Sequence, residues 1–167
     1  WEHHQLVAVD TFTHTIVGQP VRNQPWLAQL LMFQVFRSGG YPLTQCVLGA
    51  AYGAAVGLIT LLTYRRCRDS RVTAALLIAA VAVASTNMAI RPQAFSVLLF
   101  AAELSVLSTW GMRRFTPWLV AVLELLWTNV HGAFPLGVVL PGIFLAGAVV
   151  PRIVQRGPAV AASTAAV

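Results

Sequence analysis

The stretch TPWLVAVLELLWTNVHGAFP, residues 116–135, decides how this chain folds. Residues 117–127 are apolar apart from Glu124, and Pro117 stands where a helix starts. Asn129, His131 and Gly132 then interrupt the run, and Pro135 opens another apolar one. An amide, an imidazole and a glycine at the end of a greasy helix have two readings. One is a helix C-cap at a bilayer interface, with Trp127 as the anchor. The other is a functional site. Which side of the membrane the stretch faces, and what else lies there, decides between them.

The rest of the chain has the same character. Its 167 residues are 57% hydrophobic and 10% charged, where a soluble domain carries about a quarter charged residues. Apolar segments fall at 42–64, 72–90, 94–112, 116–130 and 136–150. Crossing a bilayer takes about 20 residues. The last two segments are short, which fits tilted helices in thinned lipid or one partial crossing. The expected fold is all-α, a polytopic transmembrane helix bundle. Residues 1–40 form an external loop dense in Gly, Pro, Asn and Gln, with a short interfacial helix at 26–37. Trp26 anchors that helix and Gly39-Gly40 end it. The bundle occupies 41–151, and 152–167 is a cytoplasmic tail. Gly49, Gly53 and Gly57, four apart, leave one face of the first span bare for a close neighbour. The chain begins at Trp1 and closes in small residues, so the expectation is a fragment of a longer protein.

All eleven basic residues are arginine, against five acidic ones. Arg65, Arg66, Arg68 and Arg71 follow the first span, Arg113 and Arg114 the third, Arg152 and Arg156 the fifth. If each segment crosses once, all three clusters share one side, which positive-inside logic makes cytoplasmic. The hydrophobic load and this loop placement exclude a soluble enzyme and a nucleic-acid surface. Cys46 and Cys67 stand at opposite ends of the first span, about 30 Å apart, and are read as free.

The other side receives the N-terminal loop, Arg91-Pro92-Gln93 and Asn129–Gly132. Arg91 has no acid beside it in sequence. It either snorkels to headgroups or clamps a phosphate with its planar fork. Asn87, one helical turn earlier, could orient it. Asp10 is either a solvated turn residue or a general base toward a hydroxyl. His131 donates to a leaving phosphate, orients an acceptor, or caps its helix. Glu124, Thr128 and His131 fall near one helical face, as a polar seam or as packing hydrogen bonds. Glu103 lies deeper and reads as a packing group. His3, His4 and His14 with Asp10 match no strong metal-ligand spacing, so no metal site is assigned and a divalent ion is a minor alternative.

Three blocks carry a family resemblance. Asp10-Thr-Phe-Thr-His-Thr15 with Gly18-Gln-Pro20 and Asn23-Gln-Pro-Trp26-Leu27 resembles the first external loop of bacterial membrane glycosyltransferases of the glycosyltransferase-C type. Arg91-Pro92-Gln93-Ala-Phe95-Ser96 and Trp127-Thr-Asn129-Val-His131-Gly132-Ala-Phe134 resemble two further blocks, in the same order. The resemblance implies an inverting-type enzyme of the bacterial inner membrane, with its active face outward. Such an enzyme takes a sugar from a polyprenyl-phosphate carrier. It implies Asp10 as the catalytic residue, a base or acceptor-orienting group, and Arg91, with Gln93, as the phosphate-binding group. Asn87, Asn129, His131 and Glu124 are supporting residues. The implied partners are the lipid-linked donor and membrane lipid, with no nucleic acid and an unnamed acceptor. Such proteins carry a transmembrane helix before the acidic loop, and the sequence here opens inside that loop. Two alternatives remain: a transporter or flippase using Glu103 and Glu124, and a non-catalytic membrane subunit.

Overall fold

The computed structural model describes residues 9, 17–20, 24–85, 90–111 and 113–164, with side chains to residue 150 and excepting that of Ser85. The described residues form five helices: α1 Trp26–Cys67, α2 Ser70–Ser85, α3 Gln93–Trp110, α4 Thr116–Val130 and α5 Pro135–Thr164. Among the described residues there is no strand, only an isolated antiparallel bridge between Val9 and Pro20. Two of the helices, α1 and α3, are long and apolar enough to cross a membrane.

Local chemistry sets the boundaries. Inside α1 the backbone leaves helical geometry at Gly39 and Gly40, where Gly40 takes φ 62°. That left-handed value favours glycine. A side chain at Gly39 would collide with Leu43. The element is thus two limbs joined at a break. Phe36 and Tyr41 stack edge to face across the break, and the Thr44 hydroxyl donates to the Gly40 carbonyl at 2.9 Å. At the far end, Arg68 turns left-handed (φ 55°) and Asp69 caps α2, its Oδ1 accepting from the Arg71 and Val72 amides at 2.7 and 3.2 Å. Gly111, at φ 57°, closes α3, and Pro117 sits in the first turn of α4.

The helix α3 sits at the centre, packed against α1, α4 and α5, while α2 touches α1 alone among the described residues. Leu48 and Ala51 of α1 meet Ala94 of α3 in one cluster. Leu107, Val120 and Leu140 join α3, α4 and α5 in another. The short connection after α3 makes α3 and α4 an antiparallel hairpin. Residues equidistant from its turn therefore meet: Leu107 with Val120, and Phe100 with Trp127.

The glycine face behaves differently from its sequence expectation. Nothing stands within 4 Å of a side chain added at Gly49, Gly53 or Gly57. The closely packed face of α1 is the one carrying Leu48, Ala51 and Ala55, all buried. Gly49 and Gly53 instead line a cavity of about 450 Å³ with Tyr52, Val81 and Ile90.

Candidate functional site

The site is built around the end of α4. Trp127 is fully buried, and its indole N–H donates to the Ser96 hydroxyl of α3 at 2.8 Å. Its ring meets Phe100 edge to face at 6.3 Å. Two residues on, the Asn129 side-chain oxygen accepts from the Trp26 indole at 2.8 Å, while its amide N–H donates to the Leu125 carbonyl at 2.7 Å. Gly132 faces Gln24, whose Oε1 lies 3.3 Å from where a side chain would begin. One helix end is thereby tied to α3 by an indole and to the start of α1 by an amide.

These contacts gather three separate parts of the sequence. Gln24 and Trp26 belong to the first block, Gln93 and Ser96 to the second, Trp127 to Gly132 to the third. The second and third of these parts line a cavity of about 500 Å³, together with Tyr52 and Phe100; Gln93, Ser96, Trp127 and His131 face it. Tyr52 lines both this cavity and the glycine-walled one.

His131 ends α4 in extended geometry, its amide donating to the Trp127 carbonyl at 3.0 Å. The Ala133 amide donates to His131 Nδ1 at 3.3 Å. With Nδ1 engaged as acceptor, the neutral ring carries its proton on Nε2 and keeps that atom as a donor. Arg91 precedes α3 by two residues and is exposed. Its carbonyl accepts from the Ala94 amide at 3.3 Å, and Pro92 fixes the entry to the helix. Asp10 and Asn87 lie outside the described residues, as do His3, His4 and His14. Among the described residues no three His, Cys, Asp or Glu side chains gather as metal ligands. Cys46 and Cys67 are both free.

At the opposite end of the bundle, Arg65 of α1 and Trp110 of α3 line a common cavity of about 250 Å³. The arginines after α1 and after α3 therefore share one end. The cavity with Gln93 and His131 occupies the other.

Glu124 does something its sequence position does not announce. The Thr128 hydroxyl above it donates to its own helix, at the Leu125 carbonyl, 3.0 Å away. The Glu124 carboxylate lies instead beside that of Glu103 on α3, and Gly137 of α5 closes the third side. A methyl group on Gly137 would overlap Glu124 and stand 2.8 Å from Glu103 Oε2. Gly137→Ala should therefore destabilise the bundle by about 1–3 kcal/mol through overpacking. Unfolding midpoints in SDS check this, with Gly142→Ala, where nothing stands within 4 Å, as the control.

Comparison of the chain with protein-family models, with curated proteins and with solved structures finds no match.

Proposed function

We propose that this chain carries the donor site of a polytopic membrane glycosyltransferase that uses a polyprenyl-phosphate-linked sugar. The observation that carries the reading is one cavity lined by both the second and the third block, at a helix end to which Trp26 of the first block is hydrogen-bonded. That cavity offers Gln93, Ser96 and His131 as polar groups, and it meets an apolar cavity at Tyr52. A lipid-phosphate donor has the same division: a charged head needing hydrogen-bond donors and a long apolar tail needing a greasy channel.

The outer surfaces of the shorter helices support a bilayer setting for them as well. Ile78 and Val83 on α2 are 70% and 76% exposed, and Trp118 and Leu125 on α4 are 77% and 67% exposed. Such broad apolar coats do not face water in a monomeric soluble protein. The arginine-rich end then lies in the cytoplasm and the cavity faces outward, across the bacterial inner membrane. In this reading Arg91, at the outer rim, pairs with the carrier phosphate as the glycosidic bond breaks. Asp10 takes the proton of the acceptor hydroxyl, and attack opposite the phosphate inverts the anomeric centre. The His131 Nε2 proton is available to an oxygen in the cavity. Asn129 holds the rim in register through Trp26.

The runner-up, a transporter, is favoured by one observation, the carboxylate pair on α3 and α4. The full-length protein in proteoliposomes separates the two. With a panel of polyprenyl-phosphate monosaccharides and membrane extract as acceptor source, the proposal predicts release of free polyprenyl phosphate. Solute flux without such release would replace it with the transporter.

A further inference from the structure

The carboxylate pair is used by neither the cavity nor the arginine rim. Glu103 is fully buried, and no donor among the described residues reaches any of the four oxygens of Glu103 and Glu124. About one turn along the same helices lies the apolar cluster of Leu107, Val120 and Leu140, with Phe100, Leu104 and Phe144 packed against it. No other titratable side chain occurs in α3, in α4, or in α5 up to residue 150. From α1 the nearest such group on the shared cavity is Tyr52, and after α4 it is His131. Two ionised carboxylates side by side in such surroundings repel each other and lack every compensating hydrogen bond. The position calls for a small cation.

We propose that Glu103 and Glu124 form a proton-binding site, holding one exchangeable proton between their two carboxylates. In the loaded state one group is the acid, and its O–H donates to the carboxylate oxygen of the other. The pair then carries a single negative charge instead of two. Loss of the proton restores two anions facing each other across Gly137.

The placement sets the pair directly beneath the cavity. Phe100, Trp127 and Leu136 all line the cavity. Phe100 stands three residues before Glu103, Trp127 three after Glu124, and Leu136 directly before Gly137. On a helix, three residues is about one turn on the same face. The cavity and the pair are therefore consecutive layers of one three-helix seam. Binding of the proton ties α3 to α4 directly beneath the cavity. This inference stands independently of sugar transfer.

Infrared difference spectroscopy of the chain in lipid nanodiscs at pH 7 tests it. The other three acids, Glu2, Asp10 and Asp69, are common to the wild type and the double variant, so the comparison of the two isolates Glu103 and Glu124. The wild-type spectrum should contain the C=O stretch of a protonated carboxylic acid. That band should shift on exchange into D₂O, which needs no variant. It should vanish in the isosteric double substitution Glu103→Gln, Glu124→Gln. Its absence from the wild-type spectrum overturns the proposal. So does its survival in the double variant, or its loss on replacing choline chloride by sodium chloride, which would assign the pair to a metal cation.

Discussion

Arg91→Ala in the full-length protein should lower sugar transfer by about 10²–10³-fold while leaving membrane insertion intact. That is the usual cost of removing one donor aimed at charge that develops in a transition state. The side chain is exposed and precedes α3, so nothing in the packing depends on it. Its expected work is done on the carrier phosphate. A guanidinium offers that group two parallel N–H bonds, and an ammonium offers a point charge. Arg91→Lys should therefore recover only part of the rate. The measurement is the initial rate of polyprenyl-phosphate release, with insertion followed by protease protection. Unchanged release in Arg91→Ala removes this residue from the mechanism.

Trp127→Ala should have the largest effect on stability, a loss of about 3–5 kcal/mol, typical for emptying a buried aromatic site. Trp127 is the largest fully buried side chain among the described residues. Its removal deletes the contact with Phe100 and leaves the Ser96 hydroxyl without its donor. Ser96→Ala keeps the ring but orphans its buried N–H, which costs about 1–3 kcal/mol. SDS unfolding midpoints rank these two variants. A Trp127→Ala midpoint no lower than that of Ser96→Ala would show that the ring does not hold the site together.

Much of the local architecture is legible in the sequence because single residues impose it. Gly39 and Gly40 break α1, Gly111 closes α3, and Pro117 and Pro135 stand in the opening turns of α4 and α5. The polar junction at Trp127–Gly132 is likewise marked by its residue types. What sequence alone leaves hidden is register between helices. Read one helix at a time, Glu124 belongs with Thr128 and His131. Its actual neighbour comes from α3. The signal was present: Glu103 and Glu124 lie almost equidistant from the turn joining α3 to α4, as do Phe100 with Trp127 and Leu107 with Val120. A short antiparallel connection converts that symmetry into contact. The glycines of α1 teach a related lesson. A four-residue spacing marks a bare face, but bareness serves an open cavity as well as a close partner. Here Ala51 and Ala55 make the close approach, and Gly49 and Gly53 line the opening.

The central proposal is that Asp10, Arg91 and His131 share one vestibule on the outer side of the membrane. Labelling single cysteines from outside intact cells tests it most directly. The substitutions are Asp10→Cys, Arg91→Cys and His131→Cys, each in a Cys46→Ser, Cys67→Ser background, with Arg113→Cys as the inner control. The account predicts that a membrane-impermeant maleimide labels the first three positions and reacts at 113 only after the cells are opened. Labelling of positions 10 and 91 from opposite faces would contradict it.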